Sequence, residues 1–405
     1  MELTTVKDAL NIILNNSENF GIEEVDFINS VGRVLKENIV ADRDFPPFNR
    51  VSMDGIAISS EAFNKGQRAF KIEGIQAAGS PQLTLKNPAN CIEAMTGAVL
   101  PNNTDVVIQY ELLEIKNGIA TVHLDAVKSF QNVHLKGLDR KEKDVLIVKN
   151  TLISAAEIGV FATVGKSTIK VAKQPKVMIV STGNELVEVA KIPAEHQIRR
   201  SNVFTLVSLL EKLHIKADTA HILDDKKTLE TKIASFLNNY DVLLFSGAVS
   251  KGKFDFIPEV LANLGVEKLF HKVKQRPGKP FWFGKKAITK QDKNNKIVFA
   301  FPGNPVSTFV SCLKYFYPWY YKSVGLSFEN NKQGILSEDF YFKPNLTYFL
   351  QVKLAQNEGK LYATPIAGKG SGDLANLVDS DAFLELPDNR SNFIKGEVFP
   401  LINYR

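Results

Sequence analysis

Apolar residues at the start of the chain recur every three to four positions, which is the spacing of one helix face. The first predicted helix rests on Leu3, Val6, Leu10, Ile13 and Leu14, and a second, short one rests on Phe27, Val31 and Val34. A later apolar pattern, at 155–161, predicts a third helix in this part of the chain.

From about residue 56 to 125 the pattern changes to short apolar runs separated by turn residues. The runs lie at 70–72, 91–95, 105–109 and 119–122. Their length and boundaries are typical of strands. We therefore predict an N-terminal domain, residues 1–170, in which a helical linker region carries an inserted β-rich module at about 50–135.

Residues 175–325 alternate between strand and helix patterns. Strands are predicted at 177–180, 242–245 and 297–301, and helices at 201–213, 227–237 and 256–264. Strands separated by helices indicate βαβ units, hence a three-layer α/β domain with a mostly parallel sheet. Ser201 or Asn202 is the predicted N-cap of the helix that begins there. The polar segment 285–296 predicts a hairpin or a loop.

Strand patterns return after residue 330. They lie at 340–342, 348–352, 360–363 and 382–386. Residues 330–405 are therefore predicted to form a small all-β domain. The fold class predicted for the whole chain is multidomain α/β plus β.

Composition narrows the possible classes of protein. The chain has 405 residues, of which 44% are hydrophobic and 23% charged, as in ordinary globular proteins. Its net charge of +6 comes without a long basic block, so we expect no nucleic-acid partner. Cys91 and Cys312 form no disulfide framework. No apolar run is long enough for a membrane span, and the first 30 residues do not resemble a signal peptide. We expect a cytoplasmic protein.

Three predicted strands end in loops of small residues, at 181–185, 246–252 and 302–305. The carboxyl ends of parallel strands share one edge of a sheet, where ligands of such folds bind. Glycine, serine and threonine offer backbone N–H groups and hydroxyls to oxyanions. Pro305 suits the first position of a helix, whose N-terminus favours anions. The three loops together predict a site for an anionic ligand.

A stiff basic loop adds cations to this prediction. Lys272, Lys274, Arg276 and Lys279 surround Pro277. A stiff loop that already holds its cations in place loses little entropy when it binds an oxyanion. A solvated charged loop is the alternative interpretation.

Several carboxylates lie in predicted loops, namely Asp54, Glu185, Asp224, Asp225 and Asp255. Carboxylates beside a phosphate need a bridging cation, and Mg²⁺ is the usual one. Each aspartate could instead be a helix cap or a turn residue. The six histidines have no metal-ligand spacing and are predicted to be structural or surface residues.

At this point the motifs resemble a known family, the molybdopterin molybdenumtransferases, which share their fold with the C-terminal domain of gephyrin. The resemblance extends over essentially the whole chain. The motifs that carry it are Asp44-Phe45-Pro46, Ser52-Met53-Asp54-Gly55, Met95-Thr96-Gly97-Ala98, Ser181-Thr182-Gly183-Asn184-Glu185, Ser246-Gly247-Ala248-Val249-Ser250, Arg276-Pro277-Gly278-Lys279-Pro280 and Pro302-Gly303-Asn304-Pro305.

The resemblance implies a molybdopterin-binding middle domain, a C-terminal β-barrel-like domain and a homodimer. It implies a reaction in which adenylylated molybdopterin and molybdate react, with Mg²⁺ or another divalent cation. Molybdenum enters the dithiolene and AMP is released. Transient contacts with the adenylyltransferase and with molybdoenzymes are also expected.

Residue by residue, the resemblance implies a catalytic set of Asp54, Thr96, Glu185, Asp224 and Asp255, with Asp54, Glu185 and Asp255 as metal ligands. Ser371 matches a C-terminal loop near molybdate. The full set predicted to bind substrate comprises Thr182, Gly183, Ser246, Gly247, Ser250, Lys272, Lys274, Arg276, Pro277, Lys279, Gly303, Asn304, Pro305, Ser307 and Ser371.

The chain also departs from the family pattern. Asn49 and Asn184 stand where aspartate is usual, Ala248 where a second glycine is usual, and Leu138 where glutamate is usual. Arg200 replaces the aspartate of an Asp-Ser-Asn motif, and Gln351 replaces an arginine that contacts an oxyanion. Lys353 or Lys369 could supply the missing cation.

Two other functions stay open on the residues alone. The adenylyltransferase that prepares the substrate shares the fold of residues 175–325, although the additional domains argue against that activity. A dimeric binding scaffold, as in the gephyrin relatives, is a non-enzymatic alternative.

Overall fold

The computed structural model describes residues 3–247, 256–287, 294–327, 332–366 and 368–405. The chain divides into two compact units. The larger unit comprises Met1–Lys36, Asn150–Ser154 and Thr168–Arg405, and the smaller unit comprises Glu37–Lys149 and Ala155–Ser167. The described ranges contain no helix with the length and apolarity that a bilayer span requires.

A six-stranded sheet forms the centre of the larger unit. In spatial order its strands are Ala217–Ile222, Val177–Thr182, Val242–Ser246, Lys296–Phe301, Trp282–Lys286 and Glu267–His271. The first four strands are parallel, and the last two are antiparallel to their neighbours. The α/β prediction is confirmed. The predicted hairpin at 285–296 is also confirmed, because Trp282–Lys286 pairs with Lys296–Phe301, although residues 288–293 lie outside the described ranges.

Both faces of this sheet are buried, because alternate strand residues enter two different cores. Ile179 and Leu244 belong to one core, whereas Val180 and Phe245 belong to the other. Burial on both faces explains why the strands appear in the sequence as continuous apolar runs. The helices of this region are Asn202–Glu211, Lys226–Asn239, Ile257–Asn263 and Pro305–Ser311, followed by a π-helical segment Cys312–Phe316 and a helix Tyr317–Ser323.

The N-terminal segment packs on the first of these cores. Helix Val6–Asn15 buries Val6, Ala9 and Ile13 there, and the Thr5 hydroxyl caps it by accepting from the Asp8 N–H at 3.1 Å. The predicted second helix is wrong. Only a single 3-10 turn forms, at Phe27–Asn29, because the preceding residues enter a strand, Ile22–Asp26, that pairs with Thr168–Ala172.

The C-terminal segment forms a closed five-stranded barrel, as predicted. Around the barrel the strands are Thr347–Asn357, Lys360–Pro365, Gln333–Leu336, Val398–Asn403 and Ala382–Leu386, and the last pairs with the first. Closure leaves no free edge between these strands. The short strand Gln275–Arg276 adds to the outside of Thr347–Asn357. Phe340–Tyr341 pairs with Asn392–Phe393, and helix Asn376–Asp379 precedes Ala382–Leu386.

The smaller unit is built on a second six-stranded sheet. Its strands, in spatial order, are Val106–Gln109, Gly55–Ile58, Asn90–Ala94, Ala69–Gln76, Ile119–Val122 and Leu113–Lys116. This sheet agrees with the predicted β-rich module. Two short pairs, Arg50–Val51 with Val133–His134 and Ile39–Val40 with Val145–Ile147, accompany it, as do helices Ser60–Asn64 and Ala155–Thr163.

Candidate functional site

A cavity of about 310 Å³ lies at the carboxyl ends of the parallel strands in the larger unit. We call it the central cavity. Residues that end or follow three neighbouring strands line it, as the sequence predicted, namely Thr182, Ser246, Gly247, Gly303, Asn304 and Pro305. The strand register explains their meeting, since Ser181 pairs with Ser246 and Ser246 pairs with Phe301.

The loops of the central cavity meet at Gly247 and Gly303, where an added Cβ would make ordinary van der Waals contact with the neighbouring loop. A Cβ on Gly303 would lie 3.6 Å from the Gly247 Cα, and a Cβ on Gly247 would lie 3.5 Å from the Thr182 carbonyl oxygen. Gly247 and Gly183 have φ values of 105° and 135°, which side-chain-bearing residues rarely adopt. A Cβ on Gly183 would also collide with the Glu185 carboxylate, which lines the cavity.

One asparagine joins two of these loops. The Asn202 amide nitrogen donates to the Ser246 hydroxyl at 2.9 Å and to the Gly303 carbonyl at 2.7 Å. Ser201, one of the two residues predicted, occupies the N-cap position, but its backbone is in an αR conformation and its side chain makes no capping hydrogen bond. The Asn202 side chain instead fixes the spacing between two strand ends.

The positive charges of the central cavity come from two neighbouring arginines. Arg199 and Arg200 both line it. Arg199 ends the strand Ile198–Arg199, which pairs with Leu186–Val187 in a two-stranded ribbon, and Arg200 follows directly, with its N–H bonded to the Val187 carbonyl. The Arg200 Nη2 donates to Glu188 Oε2 at 2.5 Å, and the Arg199 Nε donates to the Lys191 carbonyl at 3.0 Å. Glu185 is the acidic residue among the described residues that line the cavity.

His221 lies near Arg200 and Glu188, on the strand Ala217–Ile222 that pairs with Val177–Thr182. Its Nδ1 is 3.1 Å from the Ser181 hydroxyl. Burial lowers the pKa of His221 below the usual histidine value, and the Arg200 charge lowers it further, so the ring is neutral at pH 7. Three buried atoms in this region, Thr182 Oγ1, Arg200 Nε and His221 Nε2, have no hydrogen-bond partner among the described residues.

A second cavity, of about 330 Å³, borders the first. Arg276, Pro277, Gln351, Lys369 and Ser371 line it. The Asn304 amide, in the wall of the central cavity, donates to the Ser371 hydroxyl at 2.6 Å. The hydrogen bond from Asn304 to Ser371 therefore connects the wall of one cavity to the wall of the other.

The basic loop beside the second cavity is held rigidly. The buried Gln275 donates from its amide to the Pro277 carbonyl at 3.0 Å and accepts from the Tyr315 hydroxyl. A Cβ on Gly278, whose φ is 93°, would lie 2.7 Å from the Gln275 amide nitrogen. These contacts agree with the stiffness predicted for this loop.

The remaining basic residues predicted to bind substrate lie in different surroundings. Lys274 makes an ion pair with Asp388 at 2.7 Å. Lys272 is half-buried at a φ of 78°, and Lys279 is exposed. None of the three lines either cavity as the described residues define them. Ser307, also predicted to bind substrate, is buried inside helix Pro305–Ser311.

Asp224 and Asp225 follow the edge strand Ala217–Ile222. The Asp224 N–H donates to the Asn184 side-chain oxygen at 3.1 Å, which ties Asp224 to the loop of Gly183. Asp225 is the N-cap of helix Lys226–Asn239, and hydrogen bonds from the Thr228 hydroxyl and N–H lower its pKa. The cap interpretation is therefore confirmed for Asp225.

The smaller unit brings together two predicted catalytic residues. The Thr96 N–H donates to the Asp54 carboxylate at 2.6 Å, and this bond, followed by the Thr96 hydroxyl, lowers the pKa of Asp54. The Tyr110 N–H donates to the Asp54 carbonyl at 3.2 Å. The Tyr110 hydroxyl donates to Glu93 at 2.8 Å. Asp54 is therefore ionised at neutral pH and positioned through its own backbone.

Asp255 and Ser250, together with Ala248, lie outside the described residues. Among the residues that are described, no three histidines, cysteines or carboxylates cluster as they would around a metal ion. Of the predicted metal ligands, Asp54 accepts from the Thr96 N–H in the smaller unit. Glu185 lines the central cavity in the larger unit.

Sequence reasoning did not identify Arg200, Asn202 or His221 as site residues. A signal existed for Arg200 and Asn202, since the Arg200-Ser201-Asn202 motif precedes a predicted helix in an α/β domain. No pattern pointed to His221, whose position depends on the pairing of two strands that are 40 residues apart.

Three family models match the chain. The model described as MoeA N-terminal region (domain I and II) matches residues 4–165. A probable molybdopterin binding domain matches residues 178–320. The model described as MoeA C-terminal region (domain IV) matches residues 333–404.

Similar proteins match over nearly the whole chain. A molybdopterin molybdenumtransferase from Synechocystis is 39% identical over 98% of this chain and 99% of its own length. One from Staphylococcus aureus is 28% identical over 98% of this chain and 94% of its own. The crystal structure of a molybdopterin biosynthesis MoeA protein from Pyrococcus horikoshii OT3 superposes with a TM-score of 0.82 at 26% identity, with all of both chains covered.

Proposed function

The chain belongs to the molybdopterin molybdenumtransferase family, and from that premise we propose that it inserts molybdenum from molybdate into adenylylated molybdopterin and releases AMP. One observation carries the proposal: two cavities of similar size adjoin at the Asn304–Ser371 hydrogen bond. Two adjoining sites allow two anionic substrates to be held next to each other, which is what a transfer between them needs.

In this proposal the central cavity binds the phosphate-containing part of the pterin conjugate. Its strand-end loops offer N–H groups and hydroxyls in a dipole-rich concavity. The residues assigned to this role are Thr182, Gly183, Ser246, Gly247, Ser250, Gly303, Asn304, Pro305 and Ser307. The meeting of Gly247 and Gly303 supports the assignment, since it brings backbone from two loops to the same wall.

The second cavity is proposed to bind molybdate. Arg276 and Ser371 offer a guanidinium and a hydroxyl to a tetrahedral oxyanion, and Pro277 keeps the loop stiff. Lys369, which lines the same cavity, supplies a further cation in place of the arginine that Gln351 replaces. Lys272, Lys274 and Lys279 remain proposed contacts. Lys274 would have to exchange Asp388 for substrate.

The catalytic role is proposed for Asp54, Thr96, Glu185, Asp224 and Asp255. Asp54, Glu185 and Asp255 remain the candidates for holding Mg²⁺. Glu185 supports this assignment, because it lines the central cavity and its hard carboxylate oxygens suit this ion. Bound Mg²⁺ would offset the negative charge of the phosphoanhydride. The residues of the chain orient the phosphates and bring molybdate to the dithiolene.

We further propose that the protein is a cytoplasmic homodimer that makes transient contacts with the adenylyltransferase and with molybdoenzymes. Its three proposed domains comprise residues 1–170, 175–325 and 330–405. The adenylyltransferase and scaffold alternatives are not favoured, because the named transferases align along almost the whole chain rather than along its middle domain alone.

The proposal is tested by incubating the purified chain with adenylylated molybdopterin, molybdate and Mg²⁺. We expect release of AMP in step with a product that activates a molybdenum-free apoenzyme. Folded protein that produces neither would end the proposal. Consumption of ATP with free molybdopterin would support the adenylyltransferase alternative instead.

A pair of variants then tests the division between the two cavities. Ser371→Ala should raise the KM for molybdate, because it removes a hydroxyl of the second cavity. Ser337→Ala serves as a matched control, because the Ser337 hydroxyl bonds Thr364 at 2.9 Å and lines neither cavity as described. An equal KM for molybdate in both variants would remove Ser371 from the molybdate site.

A further inference from the structure

Arg200 combines burial with a position in the wall of the central cavity. Its side chain is 11% exposed, although it lines the cavity. The backbone fixes this position, because the Arg200 N–H donates to the Val187 carbonyl at 3.0 Å, just before helix Asn202–Glu211 begins. A long cationic side chain has therefore been placed against the ligand space by the ribbon rather than released into solvent.

The hydrogen bonds of Arg200 are incomplete. Its Nη2 bonds to Glu188, whose side chain is 57% exposed, whereas its Nε is buried without a partner among the described residues. An arginine offers five N–H donors and no acceptor. A buried N–H without an acceptor destabilises the protein until something accepts from it. The free donor of Arg200 is therefore suited to an acceptor that arrives with a ligand.

Two neighbouring features favour an anion as that acceptor. The helix Asn202–Glu211 has ten residues and begins at the cavity without a side-chain cap, so its positive end faces the ligand space. Thr182 is 4% exposed, lines the same cavity and has an unpartnered hydroxyl oxygen. A guanidinium, a helix N-terminus and a hydroxyl together match the oxygens of a phosphate group.

We propose that Arg200 is a further substrate-binding residue, whose Nε–H donates to a phosphate oxygen of the pterin conjugate while Glu188 accepts from Nη2. The inference rests on the proposed function for the identity of the conjugate. Two phosphates could occupy the position, that of the adenylyl part and that of the pterin part, and they share the same chemistry. Arg200 was not among the residues predicted to bind substrate.

The experiment measures equilibrium binding to the full chain by calorimetry. The ligands are AMP, molybdopterin and, as a phosphate-free reference, adenosine. The variants are Arg200→Gln and Arg200→Lys. The control is Arg390→Gln, which removes the same charge from the larger unit at an exposed residue that pairs with Glu397 at 2.7 Å and lines neither cavity as described.

We expect Arg200→Gln to weaken one phosphate-bearing ligand at least tenfold, the usual size for a charged hydrogen bond. The ligand that is weakened, AMP or molybdopterin, identifies the phosphate that Arg200 binds. Arg200→Lys should show a smaller loss, because lysine keeps the charge but not the planar fork. Arg390→Gln should lose no more than threefold, and adenosine should bind every variant alike.

Three results would overturn the inference. They are affinities of Arg200→Gln within threefold of the unmodified chain for both AMP and molybdopterin, an equal loss in Arg390→Gln, or an equal loss for adenosine. If Arg200→Gln does not fold, the inference is tested with Arg200→Lys alone. Unchanged affinities of that variant for AMP and molybdopterin would then contradict a phosphate contact through the Arg200 Nε. Failure of molybdenum insertion with an intact Arg200 effect would reject only the proposed function. Turnover with no Arg200 effect would reject only this inference.

Discussion

Removing the Asn202 amide should loosen the central cavity by separating the strand ends that it joins. This amide makes two short hydrogen bonds, at 2.9 Å to Ser246 and at 2.7 Å to Gly303. A net hydrogen bond contributes about 0.5–1.5 kcal/mol to folding, so Asn202→Ala should lower the free energy of unfolding by about 1–3 kcal/mol. For a unit of this size, a loss of about 2 kcal/mol corresponds to roughly 4–8 °C in Tm.

The chain provides its own reporter for this measurement. It has two tryptophans, Trp282 and Trp319, and both are fully buried in the larger unit. Thermal unfolding followed by tryptophan fluorescence therefore reports the unit that contains the central cavity. Asn239→Ala is the matched control, because the Asn239 amide makes one exposed bond to the Ser235 carbonyl within its own helix.

The control variant should keep a Tm within about 1–2 °C of the unmodified chain, as expected for an exposed surface bond. The binding of AMP should weaken in Asn202→Ala and not in Asn239→Ala. Equal Tm values for the two variants would refute the reasoning, because the Asn202 amide would then not hold the loops together.

Three further predictions concern charge and backbone conformation. The larger unit should lose stability as pH falls below about 6.5, because the pKa of His221 is lower in the folded state and the unfolded state therefore binds the proton first. The free energy of unfolding of His221→Gln, measured against pH beside the unmodified chain, should fall less over that range. Lys369→Met should weaken molybdate binding in calorimetry, whereas Lys353→Met should not, because Lys353 already pairs with Asp381 at 3.0 Å. Equal effects would contradict the proposal that Lys369 replaces the cation missing at Gln351. Gly247→Ala should destabilise the protein by about 1 kcal/mol or more, because alanine strains at a φ of 105°, and unchanged unfolding would refute the strain.

Sequence patterns predicted the architecture well where burial is continuous. The parallel strands at 177–182, 242–246 and 296–301 are apolar on both sides because both faces of the sheet are covered. The edge strand Glu267–His271 was not predicted, and its neighbour Trp282–Lys286 was predicted only at its end, through the hairpin or loop expected at 285–296. Their lysines and glycines interrupt the apolar pattern, and antiparallel pairing rather than local sequence places them in the sheet.

The site could be predicted only as far as it depends on loops that follow strands. Thr182, Ser246 and Gly303 were found because each follows an apolar run. The central role of Asn202 was missed because its amide turns away from its own helix to bond to two other loops. Lys274 was chosen for its charge alone, and only the fold reveals its partner Asp388. Long-range pairing of this kind leaves no periodic trace in a sequence.

The central claim is that the two adjoining cavities hold the pterin conjugate and molybdate side by side. The most direct test is a crystal structure of the chain with adenylylated molybdopterin and molybdate, with anomalous scattering measured at the molybdenum edge. We predict a molybdenum peak in the cavity of Arg276 and Ser371, with phosphate density in the cavity of Thr182 and Gly303. A molybdenum peak bound elsewhere on the protein, with both cavities free of ligand density, would contradict it.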